Sequence, residues 1–209
     1  MSETAGPDAG RPWRCFVGLP LPEAWHGELD RVVARLAKRL ASRISWTKPG
    51  NWHVTLKFLG DVDAARLPEL AAALSGVCFA PFALKLGTAG QFHQRSRAAP
   101  RALWAGLAEE TGGAEHAARL AAQVDQALAS CGLAPESRPF RAHVTLGRVK
   151  DAAGGEDWDI VAEELARGDF GAGRAERFVL WRSILGPGGP KYAALYGFPA
   201  RRPATTAGG

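Results

Sequence analysis

Asn51-Trp52-His53-Val54-Thr55-Leu56-Lys57-Phe58-Leu59-Gly60 alternates apolar and polar residues after its opening turn, and so reads as a half-buried β-strand. Its centre returns 90 positions later (143 − 53), where Ala142-His143-Val144-Thr145-Leu146-Gly147-Arg148 repeats four consecutive residues unchanged. Successive side chains of a strand leave opposite faces. The His and Thr of each copy therefore share one face, and the Val and Leu share the other, which points into a core. If the two strands lie on paired sheets related by a pseudo-twofold axis, two imidazoles and two hydroxyls meet across one cleft.

Around these copies the chain alternates short strands with amphipathic helices. Residues 14–18 are an apolar run closed by Leu19-Pro20-Leu21-Pro22, a strand followed by a helix start, and Leu29, Val32, Val33, Leu36 and Leu40 then recur at helical spacing. Residues 44–47 form a brief extended piece, and Lys48-Pro49-Gly50-Asn51 a turn. Between the copies the pattern predicts a helix over 64–75, strands over 82–86 and 102–107 separated by a polar, basic connection at 91–101, and a helix over 114–130. After the second copy an acidic, glycine-containing connection begins at Asp151. Strands over 177–185 and 192–198 close the chain, joined by Gly186-Pro187-Gly188-Gly189-Pro190. That glycine cluster lacks the Lys-Ser/Thr of a P-loop and any following helix, so it reads as a hairpin turn. Without the regular alternation of a doubly wound sheet, the order of elements predicts an α+β fold with largely antiparallel sheets.

Composition bounds the function. A chain of 209 residues, 46% hydrophobic, buries its own core as one domain or two closely packed lobes; residues 13–200 read as that domain, with solvated tails at 1–12 and 201–209. Lys and Arg outnumber Asp and Glu by 26 to 21, a mild bias toward a phosphate-bearing partner. No run reaches the roughly 18 apolar residues of a membrane helix. Cys15, Cys78 and Cys131 are far apart and odd in number, which suits a reducing, cytoplasmic setting better than a disulfide framework.

Two histidines facing one anion suit phosphate transfer. A neutral imidazole takes a proton from water, an imidazolium protonates a leaving oxygen, and both roles suit an ordinary pKa near 6.5. Zinc is the weaker reading, because neither copy brings a Cys, Asp or Glu as a third ligand; no metal and no cofactor are expected. His26 and His116 fall on helices and read as solvent-facing. His93, beside Arg95 and Arg97, reads as a contact to nucleic acid.

The paired H-x-T-L motifs resemble those of the two-histidine (2H) phosphoesterases. The wider text, Arg14-Cys-Phe-Val-Gly-Leu-Pro20, Asn51 through Gly60, Arg138-Pro-Phe-Arg-Ala-His-Val-Thr-Leu-Gly-Arg148 and Gly186-Pro-Gly-Gly-Pro-Lys-Tyr192, is similar to their RNA 2′,3′-cyclic phosphodiesterase branch, historically called 2′-5′ RNA ligase. The resemblance implies a bilobal molecule in which two pseudo-symmetric small antiparallel sheets line a central cleft, with helices outside and no metal. It implies a substrate that is an RNA 3′ end or nucleotide carrying a 2′,3′-cyclic phosphate; the protein itself is expected to be a monomer. His53 would be the proton donor to the departing 3′ oxygen and His143 the proton acceptor that activates water, leaving a 2′-phosphomonoester. Thr55, Thr145 and Arg148 would bind the phosphate. Strict alternation puts Arg148, five residues after His143, on the opposite face unless a bulge or bend intervenes. Lys57, two residues after Thr55, is expected at the cleft edge, and Phe16, Arg95, Arg97 and Arg101 are candidates to hold the RNA strand by stacking and charge. Gly147 stands where many relatives have Ala. Other readings are a 2H enzyme acting on another small cyclic phosphate or a 2′-5′ oligonucleotide, with ligation as a side activity, or a noncatalytic module that binds RNA ends.

Overall fold

The fold is taken from a computed structural model, which describes residues 11–93, 99–187 and 189–201. Ten strands and four α-helices follow in the order β1 (Trp13–Pro20), α1 (Glu23–Arg39), β2 (Arg43–Trp46), β3 (His53–Val62), α2 (Leu67–Ser75), β4 (Phe82–Leu84), β5 (Leu86–His93), β6 (Pro100–Leu107), α3 (Gly113–Ala129), β7 (His143–Asp151), α4 (Ile160–Ala166), β8 (Gly173–Ala175), β9 (Arg177–Gly186) and β10 (Gly189–Pro199). The expected α+β class holds.

The main sheet runs β10-β9-β1-β3-β7-β6-β5, with β2 on the second edge of β7, and all its pairings are antiparallel. It consists of two four-stranded halves, β10-β9-β1-β3 and β2-β7-β6-β5, which touch at the single pair Val54↔Val144. The two lobes are thus joined into one continuous sheet. A short ladder of β4 with β8 stands apart.

Helices cover one face of this sheet. α1 packs on α4, α2 on α3, α3 against β3 and β6, and α4 against β5. Trp25, Leu29, Val32 and Leu36 of α1 and Leu120, Val124 and Leu128 of α3 are buried with Val54, Leu56, Val144, Leu146, Leu103 and Ala105 of the sheet in one core. At roughly 1.5–3 kcal/mol for each fully buried large apolar side chain, this face supplies the driving force for folding and fixes which way each strand's alternation runs. A charged knot ties α1 to α4. Glu164, 1% exposed, accepts hydrogen bonds from Arg35 (2.5 Å), Arg39 (2.9 Å) and Arg167 (2.7 Å).

The sequence reading ends its strand at 86 and begins a connection at 91, whereas β5 spans both. With two glycines and one β-branched residue, Leu86-Gly-Thr-Ala-Gly-Gln-Phe-His93 has little strand propensity of its own; pairing with β6 imposes it. Gly90 is required there, because a Cβ would stand 2.0 Å from the Trp104 ring that lies across it. The connection after Asp151 likewise holds α4 and β8. The proposed tails lie mostly outside the described residues.

Candidate active site

β3 and β7 each begin at a histidine, and the antiparallel register through Val54↔Val144 sets His53 opposite Thr145 and Thr55 opposite His143. The four polar side chains are half-buried, while Val54, Leu56, Val144 and Leu146 are buried on the helix side. The two imidazoles and two hydroxyls therefore emerge together on the face that the helices leave bare.

Both rings are oriented alike. His53 Nδ1 lies 2.7 Å from the carbonyl of Asn51, and His143 Nδ1 lies 2.7 Å from the carbonyl of Arg141. A carbonyl only accepts, so each Nδ1 carries the proton and each Nε2 is left for the cleft. His53 Nε2 lies 3.0 Å from Thr55 Oγ1, close enough to accept the hydroxyl proton when the ring is neutral. Position 51 is itself anchored, since the Asn51 amide donates to the carbonyl of Pro190 at 2.8 Å.

Aromatic rings wall each histidine. His53 faces Phe16 (4.8 Å), Tyr192 (5.1 Å, edge-on) and Trp181 (5.8 Å); His143 faces Phe92 (4.9 Å, edge-on) and Trp104 (6.1 Å). Burial among these rings is the main reason that the His53 pKa falls from 6.5 to about 4. The Asn51 carbonyl pulls it up, and His143 and Arg148 push it down. The His143 pKa is also lowered, again by burial first, with Arg148 and Arg141 adding to the effect and its own carbonyl contact opposing it. The expectation of ordinary pKa values is thus corrected. Near neutral pH both imidazoles of the cleft are therefore mainly neutral, beside an arginine cation.

That cation is Arg148, and a bulge brings it there. Against β6, Trp104 pairs with Thr145 and Leu103 with Gly147, so Leu146 is an extra residue that flips the alternation and returns Arg148 to the face of His143. Its charge is felt at His53, His143 and Tyr192. Gly147 fits the same distortion, for a Cβ there would stand 2.7 Å from the side chains of Ile44 and Trp46 on β2.

The matching bulge in β3 corrects the reading of Lys57. Gly18 pairs with Thr55 and Val17 with Lys57, so Leu56 is skipped and Lys57 turns to the helix side. There it is 6% exposed, ion-paired with Asp125 of α3, and donates to the Ala134 carbonyl at 2.7 Å. It ties down the loop that leads to His143 and takes no place at the cleft edge. Phe16 does line the cleft, but as a buried wall: at 3% exposure, sealed by His53, Trp181 and Tyr192, it has no open face for a base. Arg101 is exposed at the irregularity where Phe92 pairs with Ala102 and His93 with Pro100, and Arg95 and Arg97 lie outside the described residues. His93 is exposed at the end of β5, and His116 on α3 stacks on Phe82.

Sequence reasoning missed the rest of the wall, Phe92, Trp104, Trp181 and Tyr192. The signal was available for Trp104, whose alternation with Ala102 and Gly106 on β6 sets an aromatic among small residues. Among the described residues no three His, Cys, Asp or Glu side chains gather as metal ligands, and no helix is long and apolar enough to cross a membrane.

Known proteins are similar to this chain in sequence and in fold. An RNA 2′,3′-cyclic phosphodiesterase of Aeropyrum pernix is 33% identical over 172 residues, covering 79% of this chain and 94% of that protein. One of Archaeoglobus fulgidus is 32% identical over 182 residues, covering 87% and 97%. Among solved structures, TT0787 of Thermus thermophilus superposes with a TM-score of 0.72 at 26% identity, over 90% of this chain and 98% of that one. Apo LigT of E. coli shares the fold, with a TM-score of 0.69 at 23% identity over 92% of this chain and 100% of that one. The LigT-like phosphoesterase family model matches twice, over residues 19–104 and 108–192, so that each match encloses one histidine strand and the repeat seen at His53 and His143 extends to the two halves of the chain. By that double match and these relatives, the chain belongs to the LigT-like phosphoesterases.

Proposed function

We propose that the protein hydrolyses 2′,3′-cyclic phosphate ends of RNA to 2′-phosphomonoesters, using His53 and His143 without a metal. One observation carries the reading: two imidazoles, each fixed by a carbonyl at Nδ1, present Nε2 to one cleft beside two hydroxyls and Arg148. The names of the relatives support the substrate class. Neutral His143 Nε2 takes a proton from water as its oxygen attacks phosphorus. The bond to the 3′ oxygen breaks, and His53 Nε2–H protonates that leaving oxygen. An imidazolium whose pKa is pushed far down is a strong acid, as an alkoxide leaving group demands, and the arriving phosphate anion supplies the charge that lets His53 hold its proton. Thr55, Thr145 and Arg148 stabilise the nonbridging oxygens, where charge grows in the transition state.

Both half-sites lie in one chain, which supports action as a monomer over residues 13–200. Cys15, Cys78 and Cys131 are unpaired, which supports a cytoplasmic setting. The test is incubation of the EDTA-treated protein with nucleoside 2′,3′-cyclic phosphates, with chromatography that resolves the monophosphate isomers. A 2′-monophosphate is expected. A 3′-monophosphate would reverse the assignment of the leaving oxygen, and tight binding without turnover would make the protein a module that only holds RNA ends.

A further inference from the structure

Positions 51 and 141 are equivalent in the two halves, each two residues before its histidine and each lending its carbonyl to that ring. Their side chains do different work. Asn51 is locked inward on Pro190, whereas Arg141 is exposed and lays its guanidinium over the rings of Trp104 (5.5 Å) and Phe92 (5.9 Å), the walls of His143. Among the described residues no Asp or Glu pairs with it. The same asymmetry recurs at the fifth position after each histidine, where one half carries exposed Phe58 and the other Arg148. The cleft is therefore polarised: rings wall both histidines, but the two arginines stand on the His143 side.

Building on the proposed function, we infer that Arg141 receives the phosphodiester one linkage upstream of the cyclic end, and so is the residue that separates an RNA terminus from a mononucleotide. Arg148 already serves the reacting phosphate, since its charge reaches both imidazoles. Arg141 precedes β7 by two residues, so it lies on the other side of His143 from Arg148 in the chain, and two residues span at most about 7 Å, commensurate with a single nucleotide step. A guanidinium resting on aromatic faces is held in place at low entropic cost and keeps its donor edge free for a phosphate. With no carboxylate partner to displace, its charge is available to an incoming anion.

The experiment is a double cycle on protein and substrate. Wild type and Arg141→Gln are each assayed on a mononucleoside 2′,3′-cyclic phosphate, on a trinucleotide ending in it, and on the same trinucleotide with a neutral methylphosphonate at the last linkage. Arg141→Gln is expected to lose about tenfold more kcat/KM on the charged trinucleotide than on the mononucleotide, with a shallower salt dependence, as for one lost phosphate contact. The methylphosphonate is expected to cost wild type a similar factor and to cost the variant nothing further. Independent, multiplicative losses, or equal losses on both charged substrates, overturn the assignment. The wild-type half of the methylphosphonate arm needs no variant, and an undiminished rate there overturns the assignment even if Arg141→Gln misfolds. Failure of wild type on every substrate would instead sink the proposed function.

Discussion

His53 and His143 share a hydrogen-bonding scheme but not an environment, and the difference has measurable consequences. Both pKa values lie below the ordinary 6.5, so the singly protonated pair that the reaction needs is a minority of the free protein at pH 7. The pH profile of kcat/KM, which reports the free protein, should therefore be bell-shaped with its maximum below pH 6.5 and fall as pH rises beyond it. A basic limb centred above pH 7 would contradict this reading. Removing the cation should relax both rings, and Arg148→Gln is expected to shift that limb upward while lowering kcat/KM by roughly 10² to 10³, the scale for one lost oxyanion donor. His53→Asn and His143→Asn should each cost at least about 10² in kcat with an unchanged circular dichroism spectrum. Near-normal turnover in either would remove that histidine from the chemistry. Cys15, whose thiol burial pushes up to about 11, should stay unreactive to alkylating reagents in the folded state.

At the scale of the element, two bulges decide which side chains reach the site. Gly147→Ala places a methyl group against Ile44 and Trp46 and is expected to cost about 1–3 kcal/mol unless β2 gives way, read as a lowered midpoint in urea. Glu164→Gln loosens α1 from α4 by removing the anion that three arginines share, with only the longer pairs of Arg35 to Glu28 and Arg39 to Glu163 remaining, and should lower Tm by roughly 5–10 °C at pH 7. The Glu164 pKa is held down first by Arg35, so the stability it brings is present above 4.5 and fades as pH falls through its lowered value. The variant should therefore lose less stability between pH 5 and 3 than wild type does. These elements also show how far the sequence could be read. The repeated tetrapeptide located both histidines and both threonines, because a strict period of two leaves no other arrangement once Val and Leu are buried. It misplaced Lys57 and left Arg148 turned away, because the period breaks at Leu56 and Leu146. Neither bulge carries a left-handed glycine, and Gly147 beside the second has an ordinary φ, so each bulge shows only in the pairing. β5 was hidden for the same kind of reason, being a strand made by its neighbour.

The whole molecule is two half-sheets meeting at one residue pair, with the reacting groups on that seam. Because the proposed acid and base come from different halves and need only His, Thr and Arg, turnover is expected to be unaffected by EDTA; loss of activity restored by zinc or manganese would refute the proposed metal-free mechanism. The halves of the sheet are not the halves of the chain. β1 and β3 are completed by β9 and β10 from the far end, while β7, from the second half of the sequence, is inserted between β2 and β6 from the first. During synthesis, a chain that has emerged only as far as β7 already contains both histidines, yet β1 still has an open edge awaiting residues 177–199. The lobe that carries His53 cannot close until residues 177–199 have emerged, so its folding is late relative to β1 and β3 and dominated by distant pairings. A polypeptide that stops short of residue 177 holds both histidines and yet lacks the strands that close the sheet around His53.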